Sequence, residues 1–202
     1  MRSAEQKNDI WKAIRIMTAA PILAMASLAL LWIHRRNVFS NVLQLWALIA
    51  CLGLLPLMAY PLQRFIPHFK DQGRIGQRYL AMIFAVGGYI LSILVCVLSN
   101  ASRSIWFFCL EYLLSGIIII LFNKAFQLKI SGHICGVVGP MLLLIQNGLW
   151  PAFPIGCIIL VLVAIASLKT NRHTIMQIVG GGVASLLALA DRKSGSAGMP
   201  RP

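Results

Sequence analysis

Seven apolar runs, uncharged except for Glu111 in the fourth, dominate this chain, at residues 16–33, 38–62, 79–99, 105–122, 134–150, 155–168 and 175–190. Crossing a bilayer takes about 20 residues of helix, and the first four runs reach or approach that length; the last three are shorter and partly interrupted. With no water in the hydrocarbon core, each backbone N–H and C=O must be satisfied within its own segment, so such runs are read as helices. The expected fold is all-α, a polytopic transmembrane helix bundle of six to seven spans. Composition agrees: 59% of the 202 residues are hydrophobic and 11% charged, against about 25% charged in soluble domains. The separators are short and polar, which leaves no room for a soluble domain. The expected organisation is a cytoplasmic N-terminal segment at 1–15, one membrane-embedded helical domain at 16–190, and a flexible tail at 191–202. The first run has a basic flank, as a secretory signal does, but Ala24-Met25-Ala26 lies inside the run and Arg35-Arg36 follows it, so it reads as an uncleaved helix.

Eighteen Lys and Arg against five Asp and Glu give a net charge of +13. Nucleic-acid binding would need a basic soluble surface or tail to carry the phosphate contacts, and none is present. In an alternating bundle the basic residues divide unequally. Twelve fall on the face of the N-terminus (Arg2, Lys7, Lys12, Arg15, Arg64, Lys70, Arg74, Arg78, Lys124, Lys129, Lys169, Arg172), and six on the other, three of those in the tail. The positive-inside rule then predicts a multi-pass protein of the cell membrane with its N-terminus and the richer face in the cytoplasm. Cys51, Cys96, Cys109, Cys135 and Cys157 all lie in apolar stretches without Cys-x-x-Cys spacing, so they read as small buried hydrophobes, with no zinc site or disulfide framework.

The basic face also collects His68, His133 and His173. Two of these open apolar runs: Lys129-Ile130-Ser131-Gly132-His133 leads into the fifth, and Lys169-Thr170-Asn171-Arg172-His173 into the seventh. A helix N-terminus presents unpaired N–H groups and a partial positive charge, which favours an anion. Lys129 and Arg172 beside two such termini describe a phosphate pocket, and Gly132 lets the backbone approach the ligand. Two histidines there can divide phosphoryl transfer, one attacking phosphorus and the other protonating the leaving oxygen. No metal and no cofactor is needed by that scheme, which suits a face whose acids are Glu5, Asp9 and Asp71 alone.

Ser131-Gly132-His133 and Arg172-His173-Thr174-Ile175-Met176-Gln177, some forty residues apart, resemble the signatures of the type 2 phosphatidic acid phosphatase superfamily, in particular a divergent small prokaryotic-type branch. The resemblance covers residues 64–182 at most. It implies that His173 is the nucleophile forming a phosphohistidine and His133 the general acid. Lys129, Ser131, Gly132, Arg172, Lys124 and Arg74 would bind the substrate phosphate, and Gln177 would orient His173. The chain departs from the family pattern at three positions: Ser167 stands where the family has its phosphate-binding arginine, Ala166 where it has the preceding serine, and Gln177 where it has the aspartate. A glutamine can fix the imidazole tautomer but cannot stabilise positive charge on the ring as a carboxylate would. The first family signature, Lys, six residues, Arg-Pro, is missing.

The resemblance implies an integral membrane lipid phosphatase acting on a phosphatidate or prenyl phosphate headgroup. The alternative is a catalytically inactive phosphate-lipid-binding or scaffold protein of the same fold. The expected partners are membrane lipids and a lipid phosphate substrate. Glu111, the one acid inside a predicted span, reads as a snorkelling or locally hydrogen-bonded side chain. Gly132-x-x-x-Gly136 and Gly180-Gly181-Gly182 read as devices for close helix approach.

Overall fold

The computed structural model describes residues 2–70, 72–125, 132–170, 174–177 and 180. It is all-helical, with short connections and no strand among these residues. The helices are α1 (Arg2–Met17), α2 (Ala20–His34), α3 (Val42–Ile49), α4 (Leu55–Leu62), α5 (Pro67–Lys70), α6 (Gly73–Leu98), α7 (Arg103–Ala125), α8 (Gly132–Gln146) and α9 (Ala152–Lys169). Four stretches are long and apolar enough to cross a membrane: Val42–Phe65, Ile75–Leu98, Arg103–Phe122 and Ala152–Lys169. The bent pair Asp9–Met17 and Ala20–His34 makes a fifth if it is taken as one broken span. Of the six to seven spans expected from the apolar runs, four or five meet the length among the described residues.

The differences have local causes. The run at 16–33 is interrupted at Thr18-Ala19, where the two helices meet at 49°. Pro21, in the first turn of α2, has no N–H to continue the ladder from Met17, and Ala19 is extended at ψ 140. The run at 134–150 becomes the 15-residue α8, closed by Gly148 at φ +84. There Leu149 N–H donates to the Leu144 carbonyl at 2.9 Å and Gly148 N–H to that of Ile145 at 3.0 Å, the pair of bonds that ends a helix on a left-handed residue. Asn100 (φ 47) ends α6 in the same way, with Ala101 N–H on the Cys96 carbonyl at 3.0 Å. The seventh run, at 175–190, lies largely outside the described residues.

Proline in the second run is absorbed rather than disruptive. A π turn at Ala50–Leu54 precedes Pro56, whose ring cannot accept the carbonyl four residues back in a regular helix. Helix α6 packs directly on this turn. A Cβ at Gly88 would collide with the Cys51 carbonyl oxygen, so only glycine permits the contact.

From α2 onward the long stretches (α2, α3–α4, α6, α7, α8 and α9) alternate in direction, which gives the bundle two ends. One, the hairpin end, carries the C-terminus of α2 and the connections at 99–102 and 147–151. The other, the basic end, carries the C-termini of α1, α7 and α9 and the N-termini of α6 and α8. The main core lies toward the hairpin end: Leu28, Leu31, Leu48, Leu52 and Ile105 are fully buried there, with Phe108 and Tyr112 stacked edge-on at 5.0 Å. A smaller cluster of Ile134, Val137 and Val163 lies toward the basic end. Outward-facing side chains on the long helices are apolar too, as on α6 at Ile83, Ile90, Leu94 and Val97. Such surface belongs against hydrocarbon rather than water.

Candidate functional site

The basic end is built around the α8–α9 hairpin. Because the two helices are antiparallel neighbours, Gly132 and His133, the first two residues of α8, lie at the same end as Lys169 and Thr170 at the close of α9. Lys124 in the last turn of α7 and Arg74 in the first turn of α6 lie at this end by backbone position. The side chains of His133, Lys124 and Arg74 are outside the described residues, as are Lys129, Ser131, Arg172 and His173 altogether. The helices thus bring together the segments that carry the expected site, as far as Thr170, three residues before His173 in the chain.

Two residues that sequence reasoning passed over join this end. Arg15 of α1 donates from Nη1 to Thr170 Oγ1 at 3.2 Å, across 155 residues of sequence. Thr170 Oγ1 in turn donates to the Ala166 carbonyl at 2.7 Å, so the guanidinium sits over the last turn of α9. A cation there meets the negative end of the helix dipole. In the sequence Arg15 looked like one topological charge among several, and no local signal pairs it with α9.

Ser167 is fully buried, and its Oγ has no hydrogen-bond partner among the described residues. Gln177 has a local structural use: Thr174 N–H donates to its Oε1 at 3.2 Å, and its own N–H donates to Thr174 Oγ1 at 3.4 Å. These reciprocal bonds form a capping box, for which Thr-x-x-Gln is the sequence signature. The glutamine four residues after His173 thus has a helix-starting role independent of any histidine.

Small residues set the helix spacing behind this end. Gly136 on α8 packs so closely on Ala20 of α2 that a Cβ would stand 2.7 Å from the Ala20 Cα. Gly139, one turn on, receives the carboxylate of Glu111, with Oε2 2.7 Å from where a Cβ would be. Glu111 is only 8% exposed, so it turns into the α7–α8 interface instead of snorkelling to the hairpin end. Cys96 and Cys109 lie in the hairpin-end core with their sulfurs 3.5 Å apart. No group of three or more His, Cys, Asp or Glu side chains gathers among the described residues.

No protein-family model, curated protein or solved structure matches the chain.

Proposed function

We propose that the chain is a multi-pass protein of the cell membrane, with six to seven spans, that hydrolyses a lipid phosphate or diphosphate headgroup at its basic end. One observation carries this reading: the α8–α9 hairpin sets the helix start at Gly132-His133 beside the end of α9 that runs on toward His173. Arg15 adds a guanidinium at Thr170 on the same end. The division of basic residues, twelve against six, puts this end in the cytoplasm.

In this scheme an imidazole nitrogen of His173 attacks phosphorus, and the P–O bond to the lipid breaks. The protonated His133 gives its proton to the departing lipid oxygen. Water then attacks the phosphohistidine, returning a proton to His133 and free phosphate to solution. Lys129, Ser131, Gly132, Arg172, Lys124 and Arg74 hold the phosphate oxygens, and Gln177 orients His173. The lipid tail stays among the helices.

The second reading, an inactive phosphate-lipid-binding or scaffold protein, is favoured by Ser167 and Gln177. Ser167 is closed into the bundle, and the Gln177 oxygen is engaged by the Thr174 N–H. Neither supplies the charge of the residue it stands for. Purified full-length protein, assayed in EDTA with phosphatidate and with a prenyl diphosphate, separates the readings. Phosphate release that disappears in His173→Ala supports the enzyme. Wild-type silence on both lipids sinks it, and retention of phosphatidate without hydrolysis selects the second reading.

A further inference from the structure

An apolar opening among the described residues has its mouth at the hairpin end, away from the expected phosphate site. It is a cleft of about 350 Å³ between α2, α8 and α9, within the roughly 300–1,000 Å³ usual for small-molecule sites. One stripe of α2 lines it from Leu23 through Ala26 to His34. At the helical rise those eleven steps are about 16 Å, roughly half the ~30 Å hydrocarbon thickness of a bilayer. The cleft therefore has the depth of one leaflet. Its walls offer nothing to a polar ligand: Pro140, Met141 and Ile159 face it, and the Ser27 hydroxyl is turned back onto the Ala24 carbonyl at 2.9 Å.

Its mouth is different. His34 is exposed at the rim, with one ring nitrogen on the Leu30 carbonyl at 2.9 Å. Arg35 reaches across from α2 to the 147–151 turn, donating from Nε to the Asn147 carbonyl at 3.1 Å. Arg36 follows, over the Trp32 ring at 5.5 Å. All three are exposed. No Asp or Glu occurs in residues 10–70 or 112–170, so the elements forming the mouth carry cations without an acid of their own. The C-termini of α2 and α8 and the N-terminus of α9 meet there, so the helix dipoles add no net positive charge and the cationic field comes from the side chains.

We propose that this cleft holds one chain of an anionic phospholipid, with the phosphate at Arg35 and His34 and the hydrocarbon lying along α2 toward the middle of the bilayer. Charge complementarity at the rim selects the headgroup, and the one-leaflet depth of the apolar groove selects the chain. The site is at the opposite end of α8 from His133 and does not depend on phosphatase activity.

The test uses the full chain in nanodiscs of phosphatidylcholine with a trace of chain-nitroxide-labelled phosphatidylglycerol, phosphatidylcholine or free stearate, reading the immobilised fraction by electron paramagnetic resonance. The wild type should hold labelled phosphatidylglycerol over phosphatidylcholine by about fivefold or more, since each basic residue near the surface contributes about that factor. Arg35→Gln should lower the preference about fivefold, and Arg35→Lys, which restores the charge, should recover it. Ala26→Phe fills the cleft from an exposed position and should lower the immobilised fraction for both phospholipids. Equal retention of the two phospholipids by the wild type overturns the proposal, as does an Arg35→Lys variant no better than Arg35→Gln. Immobilisation untouched by Ala26→Phe removes the cleft from consideration, and stearate held above phosphatidylglycerol replaces the phospholipid assignment. Because lipid retention is read and phosphate release is not, an inactive protein would still answer the question.

Discussion

The two ends of the bundle are held together by different means. At the hairpin end, polar side chains stitch the connections across helices. Gln44 Nε2 donates to Ser99 Oγ at 2.7 Å, Ser40 Oγ to the Asn100 carbonyl at 3.3 Å, and Ser104 Oγ to Asn147 Oδ1 at 3.2 Å. Beneath them lies the larger apolar core. At the basic end the core is a smaller cluster, and the ties described there run mostly from side chains to main-chain or helix-terminal groups: Arg15 to Thr170, Tyr112 to the Ala20 carbonyl and Gln63 to the Gly73 carbonyl. One end has the build of a scaffold. The other concentrates positive charge over a smaller described core, and binding and catalytic groups are commonly placed outside the main core.

That contrast can be broken by experiment, and the largest effect belongs to chemistry. On the proposed function, His173→Ala should reduce phosphate release to background and His133→Ala by about 10²–10⁴-fold, while thermal unfolding in detergent stays where it was. A parallel fall in stability would show that the basic end is scaffold as well. The next largest effect is at the other end. Leu48→Ala, at a fully buried position, should cost about 2–5 kcal/mol in a denaturant titration of the detergent-solubilised protein, with any turnover per folded molecule unchanged. Gly136→Leu drives a side chain into Ala20 and should cost about 1–3 kcal/mol of overpacking. Because it parts α2 from α8, it should also loosen a cysteine crosslink placed between them. Gly148→Ala puts a Cβ on a residue at φ +84, a left-handed conformation that costs about 1–2 kcal/mol outside glycine. It should lower the melting temperature without affecting phosphate handling. The smallest change is Arg15→Gln, about 0.3–1 kcal/mol at a helix terminus. Its effect on unfolding should fade at high salt, unlike the effect of Leu48→Ala.

The scaffold was more legible in the sequence than the site. Uncharged runs bounded by charge located the helices ending near Phe65, Leu98, Phe122 and Lys169, because a membrane demands continuous apolar helix and loops take up the charges. What the runs could not give was fine structure inside them. Pro21 splits the first run without any charge to mark the place. The π turn before Pro56 depends on how closely α6 approaches through Gly88. Glu111 turns inward because Gly139 leaves space for it on another helix, and hydropathy along one strand of sequence holds no record of that space. The proposed site rests on sequence motifs, and the residues that join them at the basic end were not legible there. The meeting of Arg15 with Thr170 is a tertiary event, whereas Thr174 and Gln177 carried a local capping signal that the search for an imidazole partner obscured.

Asn147 serves three elements at once. Its carbonyl receives Arg35, its side-chain oxygen receives Ser104, and its amide donates to the Leu143 carbonyl at 2.7 Å. During synthesis α2 is made more than a hundred residues before Asn147, so Arg35 must wait for a partner that arrives with the α8–α9 hairpin. Closure of this end is therefore a late step of biogenesis. A chain truncated before Asn147 would leave Arg35 without this partner.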